Sequence, residues 1–109
     1  MAQHKEPQYL YLTTTGRRTG LPREIEIWFT SHDGRYYLIA ERREQTQWVQ
    51  NLLANPVVQF RIGGDTFAGR ARIVAAAVEP DVVRAVRIRS QEKYGWGDGL
   101  IVELTPDGT

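Results

Sequence analysis

The chain has 109 residues, enough for one domain with its own core but too few to enclose a deep ligand cleft. Its 14 Lys and Arg nearly balance 13 Asp and Glu, which argues against a uniformly basic nucleic-acid binder, and the lack of cysteine excludes disulfides, a thiolate nucleophile and zinc–thiolate sites. No apolar run approaches the roughly 20 residues of a membrane span, and Met1–Pro7 lacks the apolar centre of a signal peptide, so the expectation is a soluble, cytoplasmic protein without an integral membrane segment.

Tyr9 to Thr15 and Arg23 to Ser31 are rich in aromatic and β-branched residues and predict strands; in the second, Ile25, Ile27 and Phe29 alternate with Glu24, Glu26 and Trp28. His32-Asp33-Gly34-Arg35 then predicts a hairpin turn into a third strand over Tyr36 to Glu41, with Tyr37 and Ile39 on one face and Tyr36, Leu38 and Ala40 on the other. The second and third strands are therefore expected to pair antiparallel. Between Thr46 and Ala54 the period changes: Trp48 with Leu52, and Val49 with Leu53, fall on one helical stripe that Asn55-Pro56 ends. Val57 to Ile62 and Thr66 to Ala75 predict strands joined at Gly63-Gly64-Asp65. Glu79-Pro80-Asp81 opens a second helix towards Tyr94, with Val82, Ala85, Val86 and Arg89 on one side and Arg84 and Arg87 on a solvated face. Leu100 to Thr105 alternates into a last strand, ahead of a frayed Pro106–Thr109.

No linker, repeat or low-complexity segment divides residues 1–109, so a single domain is expected. Antiparallel hairpins with few long crossovers predict a mainly β, α+β architecture: a small split β-barrel of about six antiparallel strands with two helices. Neither a GxGxxG dinucleotide loop nor a Walker lysine loop is present.

The stretch Thr13-Thr14-Thr15-Gly16-Arg17-Arg18-Thr19-Gly20-Leu21-Pro22-Arg23 lies between the first two strands. Two glycines free the backbone to turn and present N–H groups, while Arg17, Arg18 and Arg23 supply rigid forks of donors that match phosphate or carboxylate oxygens. A turn needs glycine, but it does not need three arginines. The bland alternative is a hairpin with solvated charges.

Together, Leu12 to Arg23, Tyr36-Tyr37-Leu38-Ile39-Ala40, Trp48-Val49-Gln50-Asn51-Leu52-Leu53-Ala54-Asn55-Pro56 and Gly69-Arg70-Ala71-Arg72 resemble the deazaflavin-dependent nitroreductase family in order and spacing. That family belongs to the split β-barrel flavoproteins related to pyridoxamine phosphate oxidases, and its better-known members bind coenzyme F420, a hydride-carrying deazaflavin with a phospholactyl-oligoglutamate tail. The resemblance implies that Arg18 and Arg23, aided by Arg17, hold the cofactor phosphate, with backbone N–H groups around Thr19 and Gly20 closing the cradle. It also implies that Ala40 lets the flat ring approach, that Arg42 or Arg43 meets the carboxylate tail, and that Trp48 and Asn51 wall the site. Many relatives carry a glycine-rich stretch where this chain has Glu41-Arg42-Arg43-Glu44-Gln45, so charge replaces flexibility there. The extended N-terminal region that some members use near the membrane is not expected here.

The resemblance implies a homodimeric oxidoreductase that passes hydride from reduced F420 to an electron-poor small-molecule acceptor: a nitro compound, quinone or enone. The same loop in an FMN-dependent reductase, or in a non-catalytic binder of flavins or acidic lipids, stays open as an alternative. Trp48 is read both as core and as wall. Glu24 and Glu26 are read as ordinary exposed acids, and His4 and His32 lack metal-ligand spacing, so no metal site is expected. Tyr94-Gly95-Trp96-Gly97-Asp98-Gly99 sets two aromatics among three glycines, which points to a lid or a plain connection; as a lid it makes Tyr94 the candidate catalytic acid.

Overall fold

The computed structural model describes residues 6–108. Seven strands, β1 (Tyr9–Thr15), β2 (Pro22–Trp28), β3 (Thr30–His32), β4 (Arg35–Ala40), β5 (Val57–Ile62), β6 (Asp65–Val74) and β7 (Leu100–Pro106), accompany two helices, α1 (Gln47–Ala54) and α2 (Pro80–Tyr94). All strand pairs are antiparallel, and the sheet order is β2-β1-β5-β6-β7-β4-β3.

Both edges of this sheet come from one continuous stretch of chain. The single strand expected over Arg23 to Ser31 breaks at Phe29: its first part pairs with β1, Leu10 opposite Ile27, and its second part pairs with β4, Thr30 opposite Tyr37. The expected pairing of second and third strands is thus made by β3 alone, and the break raises the count from six to seven. A sheet whose two ends share one segment must curl, and the result is a half-barrel split between β2 and β4.

Alternation sorts the side chains of β4 as expected. Leu38 and Ala40 join Leu10, Leu12, Phe29, Val49, Leu52, Phe60, Val102 and Leu104 in the core under α1, with Tyr36 packed against it, whereas Tyr37 joins Val74, Val83, Val86 and Ile101 beneath α2. In α1 the stripe is Trp48, Val49, Asn51 and Leu52; Leu53, expected beside Val49, is exposed. In α2 the buried residues are Val83, Val86 and Ser90, while Arg89 faces solvent. Arg87, expected on the solvated face, instead donates to the carbonyls of Gly97 (2.7 Å) and Gly99 (3.2 Å) and pins the segment that follows the helix.

Behind the sheet lies a polar cluster that sequence reading did not single out. The Glu103 carboxylate, 2 % exposed, accepts from Tyr37 Oη (2.8 Å) and Arg72 Nε (2.8 Å), and Arg72 also grips Glu79 through both terminal nitrogens (2.6 and 2.9 Å). Burial, followed by the bond to Glu103, pushes the Tyr37 phenol up to about 12. For Glu103 burial opposes ionisation, yet the bonds from Arg72 and Tyr37 outweigh it and hold the carboxyl below its ordinary range. Glu79 is lowered as well, chiefly by its hydrogen bond from Arg72. Both folded pKa values are depressed, so the stability these acids contribute is complete above their unfolded values and is lost as pH falls through the folded ones. Arg72→Met is expected to cost about 3 kcal/mol near neutral pH, because it strands a buried carboxylate. The cost should shrink as the pH is lowered, because burial favours protonation of the stranded Glu103; urea unfolding at neutral and at acidic pH measures this, and an undiminished loss in acid would contradict it.

Candidate functional site

The loop between β1 and β2 builds one wall of a groove of about 550 Å³ whose lining includes Gly16, Arg17, Arg18, Thr19 and Arg23 together with Trp48 and Asn51 of α1. The turn closes on itself: Gly16 N–H donates to the Leu21 carbonyl and Gly20 N–H to the Gly16 carbonyl, each at 2.8 Å. Gly20 has φ +73°, the left-handed region that favours glycine, and a Cβ on Gly16 would crowd Thr19 Oγ1 at 3.0 Å and the Leu21 carbonyl oxygen at 3.1 Å. Gly20's amide, expected in the cradle, is therefore committed within the loop. Within this turn, the Arg18 and Thr19 N–H groups are the ones without an acceptor among the described residues.

The three arginines divide their work. Arg17 fastens the loop to α1: its side chain donates to Asn51 Oδ1 (2.9 Å) and Gln47 Oε1 (2.8 Å), and its backbone N–H also reaches Asn51 Oδ1 (3.3 Å). Asn51, 6 % exposed, completes the tie by donating from Nδ2 to the buried Thr14 hydroxyl (3.2 Å). Arg18 and Arg23 have no hydrogen-bond or ion-pair partner among the described residues, and Arg23 Nε lies over Gly16. The only carboxylate lining the groove is Glu24, which pairs with Arg61 at 3.5 Å, and Arg17's partners are neutral amides. Three guanidinium charges thus face one groove without a carboxylate partner, and those of Arg18 and Arg23 keep free donors suited to a phosphate. Trp48, 9 % exposed, packs in the core and also lines the groove.

Ala40, Arg42 and Arg43 are not brought into the groove lining. Ala40 is buried in the core opposite Leu100, and its carbonyl oxygen packs so closely on Gly99 that a Cβ there would approach to 2.5 Å. Arg42 precedes a 3-10 turn at Arg43–Gln45, and Arg43, with φ +54°, sits 3.7 Å from Asp98 in an exposed ion pair.

A second cavity, also about 550 Å³, opens where β2 and β4 part company. Its lining includes Ile27, Trp28 and Phe29 from β2 and the break, Tyr37 and Ile39 from β4, and Tyr94 and Trp96 from the end of α2. Trp28 stacks on Tyr94 with ring centroids 4.3 Å apart and planes 7° apart, and Trp96 meets Trp28 edge-on at 6.4 Å. The Tyr94 hydroxyl accepts from the Phe29 N–H (2.9 Å) and lies 2.7 Å from both the Phe29 and Gln8 carbonyl oxygens. The glycines after Tyr94 have packing roles: Gly95, at φ +75°, caps α2, and a Cβ on Gly97 would lie 2.8 Å from the Arg87 carbonyl oxygen. Ser90 Oγ adds a 2.5 Å bond to the Trp96 carbonyl. The segment read as a lid or a plain connection is thus tied back to α2 by Arg87 and Ser90.

Glu24 and Glu26 are exposed, the latter accepting from Tyr11 Oη at 2.7 Å, and His32 lies 3.5 Å from Asp33. His4 lies outside the described residues. Among the described residues no group of three His, Cys, Asp or Glu gathers to hold a metal, and no helix is long and apolar enough to cross a membrane. Sequence reading missed Thr14, Gln47, Thr30 and Ile39 as lining residues; the alternation of β1 and β4 carried a weak signal for Thr14 and Ile39, and no local pattern marked the others.

Residues 2–97 match the F420H(2)-dependent quinone reductase family. The chain belongs to this family. An F420H(2)-dependent quinone reductase of Mycobacterium tuberculosis is 31% identical over 85 residues, covering 75% of this chain and 56% of that protein, so the chain spans little more than half the length of this curated relative. Among solved structures, the heme storage protein HutZ of Vibrio cholerae superposes with TM-score 0.75 at 19% identity, covering 94% of this chain and 83% of its own. A structure described as an F420 reductase gives TM-score 0.69 at 18% identity over 99% of this chain and 97% of its own. At these identities the superpositions establish the split-barrel fold and no more. The family match agrees with the resemblance carried by the Leu12–Arg23 and Trp48–Pro56 blocks.

Proposed function

We propose that this chain binds coenzyme F420 and catalyses hydride transfer from its reduced form to an electron-poor organic acceptor, a quinone being the acceptor class named by its family. The observation that carries the reading is the groove with Arg18 and Arg23 unpartnered above it, in a protein whose charge is otherwise balanced. Arg18, Arg23 and the N–H groups of Arg18 and Thr19 are assigned to the cofactor phosphate; Arg17 and Asn51 hold that loop in place; Trp48 walls the ring; Arg42 and Arg43, on the exposed turn after β4, are left to the oligoglutamate tail. When bound, the reduced deazaflavin supplies the hydride. Tyr94 is assigned to proton delivery, which requires its hydroxyl to exchange the Gln8 and Phe29 carbonyls for an acceptor oxygen.

Arg18→Ala and Arg23→Ala are each expected to weaken F420 binding about tenfold to a hundredfold, the loss of one charge-assisted bond, with little change in Tm because neither side chain has a partner among the described residues. Titration with F420, and with FMN as the competing phosphate-bearing cofactor, measures this; unchanged F420 affinity in both variants defeats the assignment, and tighter FMN binding moves it to the FMN-dependent reading.

Tyr94→Phe is expected to leave F420 affinity intact and to slow single-turnover oxidation of bound reduced cofactor by at least tenfold, within the range of a positioned acid. A wild-type rate confines Tyr94 to tying the Gln8 and Phe29 backbone.

We further propose a homodimer. The barrel interior is filled by core side chains and the groove is open, so a tricyclic ring with a charged tail needs a second surface to close over it. Light scattering at micromolar concentration should give twice the chain mass, and a monomer that binds F420 tightly would refute this.

A further inference from the structure

The cavity between β2, β4 and the end of α2 differs in charge from the arginine groove beside it. Its apolar surface is made by Ile27, Ile39 and the Trp28–Tyr94–Trp96 group, and its only ionisable acids among the described lining residues are Glu26 and Glu41; it has no lysine or arginine. Glu41 has no partner among the described residues, and Glu26 has only the neutral Tyr11 hydroxyl. Lys93 lies behind the Phe29 and Tyr94 rings, and its charge is already met by Glu6 at 2.9 Å and by the Pro7 and Phe29 carbonyls, each at 2.8 Å. Arg42 and Arg43 follow Glu41 in the chain but do not line the cavity, and Arg43 is paired with Asp98 at 3.7 Å. Arg61, across β1, is paired with Glu24.

An independent feature points to a ligand. Thr30 lines this cavity, is 4 % exposed, and its hydroxyl is one of two buried side-chain polar atoms without any hydrogen-bond partner among the described residues. A buried donor left unmade is costly, and such groups are usually satisfied in the working state. A flat ligand carrying an oxygen acceptor would stack along the Trp28 face and bring that acceptor to Thr30.

We propose that this cavity is the seat of a planar aromatic carbonyl compound that is neutral or cationic, and that Glu26 and Glu41 exclude acidic compounds of the same shape. The inference rests on the proposed reductase function in naming the occupant as the hydride acceptor, and it separates the two ends of the site by charge. The cofactor's phosphate goes to Arg18 and Arg23, and the cavity lined by Glu26 and Glu41 rejects it, so the cofactor's phosphate end and the acceptor cannot trade places. β2 supplies both rims, Arg23 and Glu24 to the groove and Glu26 to the cavity.

The test compares 1,4-naphthoquinone with 1,4-naphthoquinone-2-sulfonate, read by quenching of tryptophan fluorescence without F420. A Trp48→Phe background leaves Trp28 and Trp96, both in the cavity, as the reporters. The neutral quinone is expected to quench saturably and to bind about tenfold more tightly than the sulfonate at low salt, as two like charges at the rim require. Added salt and the double variant Glu26→Gln/Glu41→Gln should each narrow the ratio towards one. Thr30→Val should weaken the neutral quinone about threefold to tenfold, the loss of one hydrogen bond. Equal or tighter sulfonate binding in the parent, or no saturable quenching by either compound, overturns the proposal. Because no cofactor is present, these outcomes are independent of the F420 titration, and either result can fail while the other stands.

Discussion

One stretch of chain, Pro22 to His32, has to serve as both edges of the sheet, and the remaining architecture follows from how that demand is met. β2 pairs outward with β1 and β3 pairs with β4, so the backbone must break between them at Phe29. Neither glycine nor proline stands at the break. It is held by bonds from 64 and 65 residues away: the Phe29 N–H donates to Tyr94 Oη, and its carbonyl is approached by both Tyr94 Oη and Lys93 Nζ. Because β2 is turned towards β1, it cannot also pair with β4, and the gap between them becomes the aromatic cavity. The helix whose end fills that gap is the one that fixes the break. Tyr94 therefore belongs to the fold as much as to the cavity, and Lys93 to the fold.

Charge is distributed with the same economy. A near-neutral protein concentrates three guanidinium groups at one turn and satisfies one of them with amides alone. An Arg17–carboxylate pair would have locked the loop equally well but would have cancelled part of the field at Arg18 and Arg23. Asn51 and Gln47 give geometry without neutralisation, and Thr14 in turn orients Asn51. On the far side of the sheet the opposite solution operates: Arg72 is compensated by Glu79 and Glu103, so Arg72 there is structural, whereas Arg18 and Arg23 are left available.

Much of this was legible in the sequence, and the illegible parts share a cause. β1 was read to its ends, and the Asp33-Gly34 hairpin shows the positive φ at both residues that such a turn demands, 52° and 76°. Arg18 and Arg23 were legible because arginine has no reason to be dense in a tight turn. The break at Phe29 was not, since the alternation of Ile25, Ile27 and Phe29 runs through it and only tertiary bonds reveal it. Asn51 read as a wall residue and proved to be the anchor of Arg17, a contact across 34 positions that no local pattern encodes. Glu103 did carry a signal, a carboxylate in the otherwise apolar run Leu100 to Leu104, and such a residue needs a cation within reach once buried.

The glycines after α2 show how one composition supports two structural readings. Three glycines around Trp96 read as a hinge because glycine permits motion, yet Gly97 and Gly99 are also positions where two backbones come too close for a Cβ, at the Arg87 and Ala40 carbonyl oxygens. Permissive conformation and close approach draw on the same missing atom, and only the neighbouring backbone distinguishes them. Here the neighbours are a helix carbonyl and a strand carbonyl, and Arg87 and Ser90 add three further bonds to the segment. The aromatic wall is consequently built in advance of any ligand. A flat acceptor meeting Trp28, Tyr94 and Trp96 then loses little affinity to ordering the protein. The absent Cβ at Gly99 likewise lets the start of β7 approach the Ala40 carbonyl at the end of β4, while the Ala40 side chain itself packs in the core.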